Sequence, residues 1–259
     1  MRPPDLHLIG SGRLAHSLAL AWRKAGGKVA TVWSRNAASG QHLAELSGAS
    51  WLEQLEAPRS GWLMLAVKDE AVEEISQQLL PQADLLVLHA SGTLPLAALS
   101  RHANSGVMWP LQSMQMAGND WSAIPLFIEG ATASANQQLH DIAGLLSPKL
   151  HTVNSQQRLY YHLAAVMAGN FSNALYQQVY ELLSSRGLDP TVLLPQLQAG
   201  LQGLMEQPPA HRQTGPAVRK DVKVMEQHLA LLSDQPELAS LYALFSKMIQ
   251  KQADSLRSK

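Results

Sequence analysis

The spacing of hydrophobic positions changes once along this chain. Up to about residue 153, apolar runs of strand length alternate with segments of helical period; after about residue 155 only the helical period continues. The runs at 6–9, 28–33, 62–67, 84–89, 106–109, 125–130 and 150–153 predict strands. Trp62 through Val67 is apolar almost throughout, the pattern of a strand covered on both faces. Between the strands, Leu14, Leu18, Ala21, Trp22 and Ala25 mark a helix stopped by Gly26 and Gly27. Further helices are predicted near 70–80, capped by Asp69, and near 133–146. This alternation predicts an α/β half built on a doubly wound sheet with a few antiparallel additions.

The remainder predicts an all-helical half, with the division expected at 1–153 and 154–259. Leu159, Leu163, Val166, Met167, Phe171, Ala174 and Val179 form one apolar stripe on a single long helix over 156–186. Asp189 at the N-cap and Pro190 at the first position start a helix over 190–206, which Gln207-Pro208-Pro209 ends. Residues 211–216 read as a loop containing the turn Thr214-Gly215-Pro216, and amphipathic helices follow at about 221–233 and 236–256.

The first strand runs into Gly10-Ser11-Gly12-Arg13-Leu14-Ala15. Gly10 supplies the positive φ of a sharp strand-to-helix turn, Gly12 lets a ligand approach the backbone, and Ala15 allows close helix–strand packing. The amides and dipole at such a helix start suit a pyrophosphate, so residues 10–14 are candidate dinucleotide contacts. An αβ turn that holds nothing is the plain alternative. NAD sites place a carboxylate at the end of the second strand; here Ser34 and Arg35 follow, which suits a 2′-phosphate and predicts NADP. Alternatively, Arg35 is simply a solvated loop residue. The carboxyl ends of the later strands bring Val67, Lys68, His89 and Ser91 toward the nicotinamide end, with His89 reading equally as structural.

On the long helix, His162, Asn170 and Asn173 form a polar row along the apolar stripe, and Gly169 beside them permits close approach. They read as ligand contacts, or as bonds to a neighbouring helix. Thr214, Arg219, Lys220 and Asp221 together offer a hydroxyl, cations and a carboxylate to an anionic substrate; Asp221 reads equally as a helix N-terminal carboxylate.

Composition narrows the classes. Equal numbers of acidic and basic residues and no long basic run argue against nucleic acid or an anionic membrane as partner. The absence of cysteine excludes disulfides and thiolate chemistry, and the scattered histidines show no metal spacing. The apolar run before Gly10 is too short for a signal-peptide core, and none reaches membrane length, so a soluble cytoplasmic protein is expected.

Taken in order, the glycine turn, Val32-Trp33-Ser34-Arg35, Ala66-Val67-Lys68-Asp69, His89-Ala90-Ser91-Gly92, Pro110-Leu111-Gln112, Tyr160-Tyr161-His162, Ala168-Gly169-Asn170-Phe171 and Arg219-Lys220-Asp221 carry a resemblance. The chain resembles two-domain bacterial proteins with a Rossmann-like NADP-binding half and a C-terminal helical domain of unassigned function. They are similar in layout to pyrroline-5-carboxylate reductase, ketopantoate reductase and the 6-phosphogluconate and β-hydroxyacid dehydrogenases. The resemblance implies a helical half like the C-terminal domain of 6-phosphogluconate dehydrogenase. Two positions depart from it. Trp109 stands where the group commonly has a histidine, and Val166 stands where β-hydroxyacid dehydrogenases carry a catalytic lysine. The expected function is NADP-dependent reduction of a C=O or C=N bond in a small carboxylate metabolite bound between the halves. Asn170 would hold the reacting atom, and His162, Lys220, Lys223 or water would supply the proton. Asn173, Thr214 and Arg219 would contact substrate. The alternative is a non-catalytic NADP-binding regulator or scaffold. A homodimer is expected, because the helical half has more apolar surface than one small domain buries.

Overall fold

A computed structural model describes residues 3–258. By internal contacts the chain forms two compact units, Met1–Gly169 and Asn170–Lys259.

The first unit contains strands β1 (Leu6–Ile9), β2 (Val29–Trp33), β3 (Ser50–Trp51), β4 (Ser60–Leu65), β5 (Asp84–His89), β6 (Ser105–Pro110), β7 (Leu126–Gly130) and β8 (Leu150–Thr152). Helices α1 (Arg13–Lys24), α2 (Ala37–Ser47), α3 (Asp69–Gln78), α4 (Ala133–Gly144) and α5 (Ser155–Ala165) connect and follow them. The sheet order is β3-β2-β1-β4-β5-β6-β7-β8. Every pairing is parallel except β6 with β7. This is the expected doubly wound sheet with an antiparallel addition. The two-residue strand β3 has no hydrophobic run to announce it, because it only extends the edge beside β2.

Alternation along β4 shows how the sheet is covered. Trp62 and Met64 pack with Leu18 and Trp22 of α1 and Leu139 of α4 on one face, while Leu63 and Leu65 pack with Val72 and Ile75 of α3 on the other. Each such side chain taken fully out of water contributes about 1.5–3 kcal/mol. Register aligns Ile9 with both Trp33 and Leu65, and Leu65 with His89. The carboxyl ends of β1, β2, β4 and β5 therefore share one edge, where open α/β sheets bind ligands. Asp69 does not cap α3 as expected. It is the first helical residue, and its carboxylate bonds the hydroxyls of Ser91 and Thr93.

The predicted single helix over 156–186 is three segments: α5, a π-helical stretch Val166–Phe171, and α6 (Ser172–Ser184). A π turn holds an extra residue, so the 3.6-residue stripe loses phase there. The stripe is also not buried in the single chain: Leu159, Leu163, Met167 and Phe171 are each about half exposed or more. A Cβ on Gly169 would meet nothing, so no close approach depends on it.

The second unit continues with α7 (Leu194–Gly203), α8 (Pro209–Arg212), α9 (Pro216–Arg219), α10 (Val222–Leu231) and α11 (Pro236–Arg257). Asp189 accepts from the Thr191 amide at the start of a 3-10 turn before α7, as expected of a cap followed by proline. The loop predicted over 211–216 includes the end of α8 and leads into α9. Among the described residues of this unit, the buried hydrophobic side chains are Ala217, Leu232 and Leu238. That is a small core for six helices. No helix among the described residues is long and apolar enough to cross a membrane.

Candidate nucleotide and active site

Gly10 leaves β1 with φ 110°, and its amide donates to the carbonyl of Trp33 at 2.8 Å. A Cβ there would collide with the carbonyl oxygen of Ala66, so only glycine joins β1 to α1 this tightly against β4. Gly12 is the N-cap of α1, with no side-chain cap and no acidic residue in the first turn. A Cβ on Gly12 would have nothing within 4 Å. The helix start thus presents amide donors and the positive end of its dipole to open space, which fits a dinucleotide diphosphate.

That space is a groove of about 560 Å³ at the shared strand edge, lined by residues 10–14, 33–36 and 66–68 and by Met114. Gly10, Ser11, Gly12, Arg13, Leu14, Ser34, Arg35, Val67 and Lys68 all line it, so the structure gathers nine candidates around one cavity. Arg35 is exposed and has no hydrogen bond or ion pair among the described residues. In the same groove, the Ser11 hydroxyl is bonded to those of Ser34 at 2.9 Å and Ser39 at 2.7 Å. Asn36 caps α2 by accepting from the Ser39 amide at 3.0 Å. Hydroxyls, a helix start and an unpaired guanidinium together suit a phosphate monoester. Ser39, Asn36, Trp33 and Met114 were not among the sequence candidates. The first two were findable from Asn36 standing three residues before Ser39, a capping pattern.

Residues 5–90 match the family described as NADP oxidoreductase coenzyme F420-dependent, and residues 124–249 match a domain of unknown function, DUF2520. A candidate NADP oxidoreductase from Bacteroides fragilis is 32% identical, over 96% of this chain and 99% of that one, at TM-score 0.83. The chain belongs to that NADP oxidoreductase family. A Thermotoga maritima protein is similar at 24% identity and TM-score 0.76, covering 97% of this chain and 99% of its own. A reductive aminase from Aspergillus terreus, solved with NADPH and ethyl-5-oxohexanoate, has 19% identity and TM-score 0.76 over 98% and 94% of the two chains. Comparison with curated proteins gives no match. The nucleotide of this oxidoreductase family is NADP, in agreement with Ser34 and Arg35 at the end of β2.

Other expected contacts of this family member are placed differently. His89 is fully buried at the end of β5 and does not line the groove. Its Nδ1 accepts the Ser91 amide at 3.1 Å, and Nε2 has no partner. Burial, reinforced by the positive charge of Arg158, pushes its pKa down to about 4, so the ring is neutral. Ser91 is also buried, and its hydroxyl donates to Asp69 at 2.6 Å while accepting the amides of Thr93 and Leu94. Neither side chain lines the groove, and His89 takes the structural place that was its alternative reading. These two residues build the loop after β5 because β5 is a central strand whose exit is covered.

His162 is half-buried on α5. Its ring lies 5.8 Å from that of Trp109, which in turn lies 5.2 Å from Phe127. A Cβ on Gly92 would come within 2.6 Å of the imidazole and 2.9 Å of the indole, so the missing side chain lets both rings close over the loop after β5. Trp109, at the position where the resembling group has histidine, thus carries the wall against which His162 rests.

In the second unit, Asn170 is the last residue but one of the π stretch, and Asn173 is the second residue of α6. Both are exposed, and their side chains make no hydrogen bond among the described residues. Lys220 is not a free cation: its ammonium pairs with Asp254 at 2.8 Å, because α9 and α11 are neighbours. Asp221 caps α10 by accepting from the Val224 amide, which is its helix-terminal reading. Arg219 is exposed and unpaired among the described residues, while Thr214 lines an apolar cavity with Val179, Ala217 and Phe245. The structure thus does not gather Thr214, Arg219 and Lys220 around one anion site. No group of three metal-ligating side chains occurs among the described residues.

Proposed function

We propose that this chain is an NADPH-dependent reductase of C=O or C=N bonds in a small, carboxylate-bearing molecule. The single observation that carries the reading is the open helix start at Gly12 sharing one groove with the unpaired Arg35. Residues 10–14 would hold the diphosphate. Arg35 with Ser34 would hold the 2′-phosphate, and Val67 and Lys68 would bound the path toward the nicotinamide. When bound, the cofactor supplies the hydride.

The chain's own task is then to orient the acceptor and deliver a proton. Val166 cannot do so, and Lys220 is engaged with Asp254. Of the remaining candidates we assign the proton to His162, which is set against Trp109 at the carboxyl edge of the sheet. Asn170, on the π stretch where backbone register changes, is assigned to the reacting oxygen or nitrogen, Asn173 and Arg219 to the substrate's polar ends. The reductive aminase likeness supports the choice of carbonyl or imine acceptors as the first panel.

The working unit is a homodimer in this proposal. The support is the scarcity of buried apolar side chains beyond residue 169, together with the exposure of Phe171, Leu201, Met205 and Leu231.

A second reading, NADP binding without turnover, is favoured by one observation: valine replaces lysine at residue 166. Following NADPH absorbance with a panel of small keto acids and cyclic imines separates the two. Oxidation that His162→Gln slows supports the reductase. Tight NADPH binding with no oxidation by any acceptor supports the second reading.

A further inference from the structure

We propose that Arg158, clamped by Glu129, is the positioning residue that sets the imidazole of His162. This rests on the reading of His162 as the proton-bearing group.

Arg158 is 1% exposed, an unusual place for a guanidinium. It donates to the Glu129 carboxylate on β7 and to the Leu94 carbonyl in the loop after β5. Ser155, the first residue of α5, completes the clamp. Its amide and hydroxyl both donate to Glu129, at 2.9 Å and 2.9–3.0 Å, and its oxygen accepts the Leu96 amide at 3.0 Å. Asn154 and Gln157 close a capping box over the same helix start. One helix end is thereby tied to a strand and to the loop after another strand.

His162 lies four residues after Arg158, on the same face one turn further along α5. Phe127 lies two residues before Glu129 and so points to the same side of β7. Trp109 is paired with Phe127 across the ladder. The two strands therefore present a carboxylate and two rings to one helix: Glu129 meets Arg158, Phe127 meets Tyr161 at 4.6 Å, and Trp109 meets His162. The ion pair fixes the rotation and rise of α5 up to His162. Just beyond, at Val166, the helix changes to π geometry, so no regular helix from the other side enforces that phase. A guanidinium fork bridging a carboxylate and a carbonyl sets direction as well as distance, which an ammonium does not.

The test has two independent readouts on the full-length protein. The ring protons of His162, assigned by their loss in His162→Gln, carry a ring-current shift from Trp109 in the NMR spectrum. Arg158→Met and Arg158→Lys should both move these resonances toward those of an unstructured histidine, Lys less than Met. With an acceptor that is turned over, kcat should fall about ten- to a hundredfold. NADPH affinity should stay within about twofold, because the nucleotide groove shares no partner with the clamp. Glu129→Gln, which keeps the side chain's shape and one acceptor oxygen, serves if Arg158→Met does not fold. Folded variants whose His162 resonances stay in place would overturn the proposal, as would a loss of kcat matched by an equal loss of NADPH binding. A His162→Gln protein with unchanged turnover would instead sink the proton assignment, and leaves the NMR result to stand alone.

Discussion

Gly10 stands at φ 110° with its absent Cβ directed at the carbonyl oxygen of Ala66, so the first βα turn is locked against the neighbouring strand. Gly12, two residues on, faces open space. The two glycines should therefore fail differently. Gly10→Ala should lower stability by about 1–3 kcal/mol or more, since it adds backbone strain to a clash. Gly12→Val should cost about 1 kcal/mol or less at an N-cap, yet abolish measurable NADPH binding. Denaturant midpoints and NADPH fluorescence titrations on the pair check this. Equal stability losses would contradict the geometry.

Arg35→Ala should weaken NADP(H) by about ten- to a hundredfold, the worth of one charge-assisted hydrogen bond set. NAD(H), lacking the 2′-phosphate, should be nearly unaffected. Calorimetry with both nucleotides measures the ratio, and a parallel loss for the two would remove Arg35 from the phosphate site.

Acid should destabilise the fold through His89. Its pKa is about 4 in the folded chain against an unfolded value of 6.5, so the unfolded state binds the extra proton first. Stability from this group is complete above pH 6.5 and is lost as pH falls toward 4, by about 3 kcal/mol in all. His7 and His102, also pushed down chiefly by burial, act with the same sign. His89→Asn, which can still accept the Ser91 amide, should flatten the slope of unfolding free energy between those pH values. An unchanged slope would show that another group carries it.

The apolar faces should be covered by a second copy. Sedimentation should give a dimer for the parent chain, and Phe171→Glu combined with Met205→Glu should shift it toward monomer. A parent chain that sediments as a monomer at high concentration would remove the dimer.

Much of the nucleotide half is legible in the sequence. Continuous apolar runs such as Trp62–Leu65, and Gly10 and Gly12 after Ile9, encode local geometry, and local geometry depends on near neighbours in the chain. Ser34 and Arg35 were legible for the same reason: strand timing places them at a known edge. What sequence periodicity misread was the long helix, where the π stretch at Val166–Phe171 changes the phase without any marked signal besides Gly169 and Asn170.

The sequence by itself determined the main strands of the nucleotide half, the glycine turn and the nucleotide that half can hold, because each is set by residues within a few positions of one another. Only the tertiary structure decided that His89 is sealed inside, that Lys220 is taken by Asp254, and that Arg158 joins Glu129 across 29 residues of chain. Those facts depend on which strands and helices meet. A titratable side chain acquires its role from the partners that packing brings to it, and hydrophobic spacing carries no record of them.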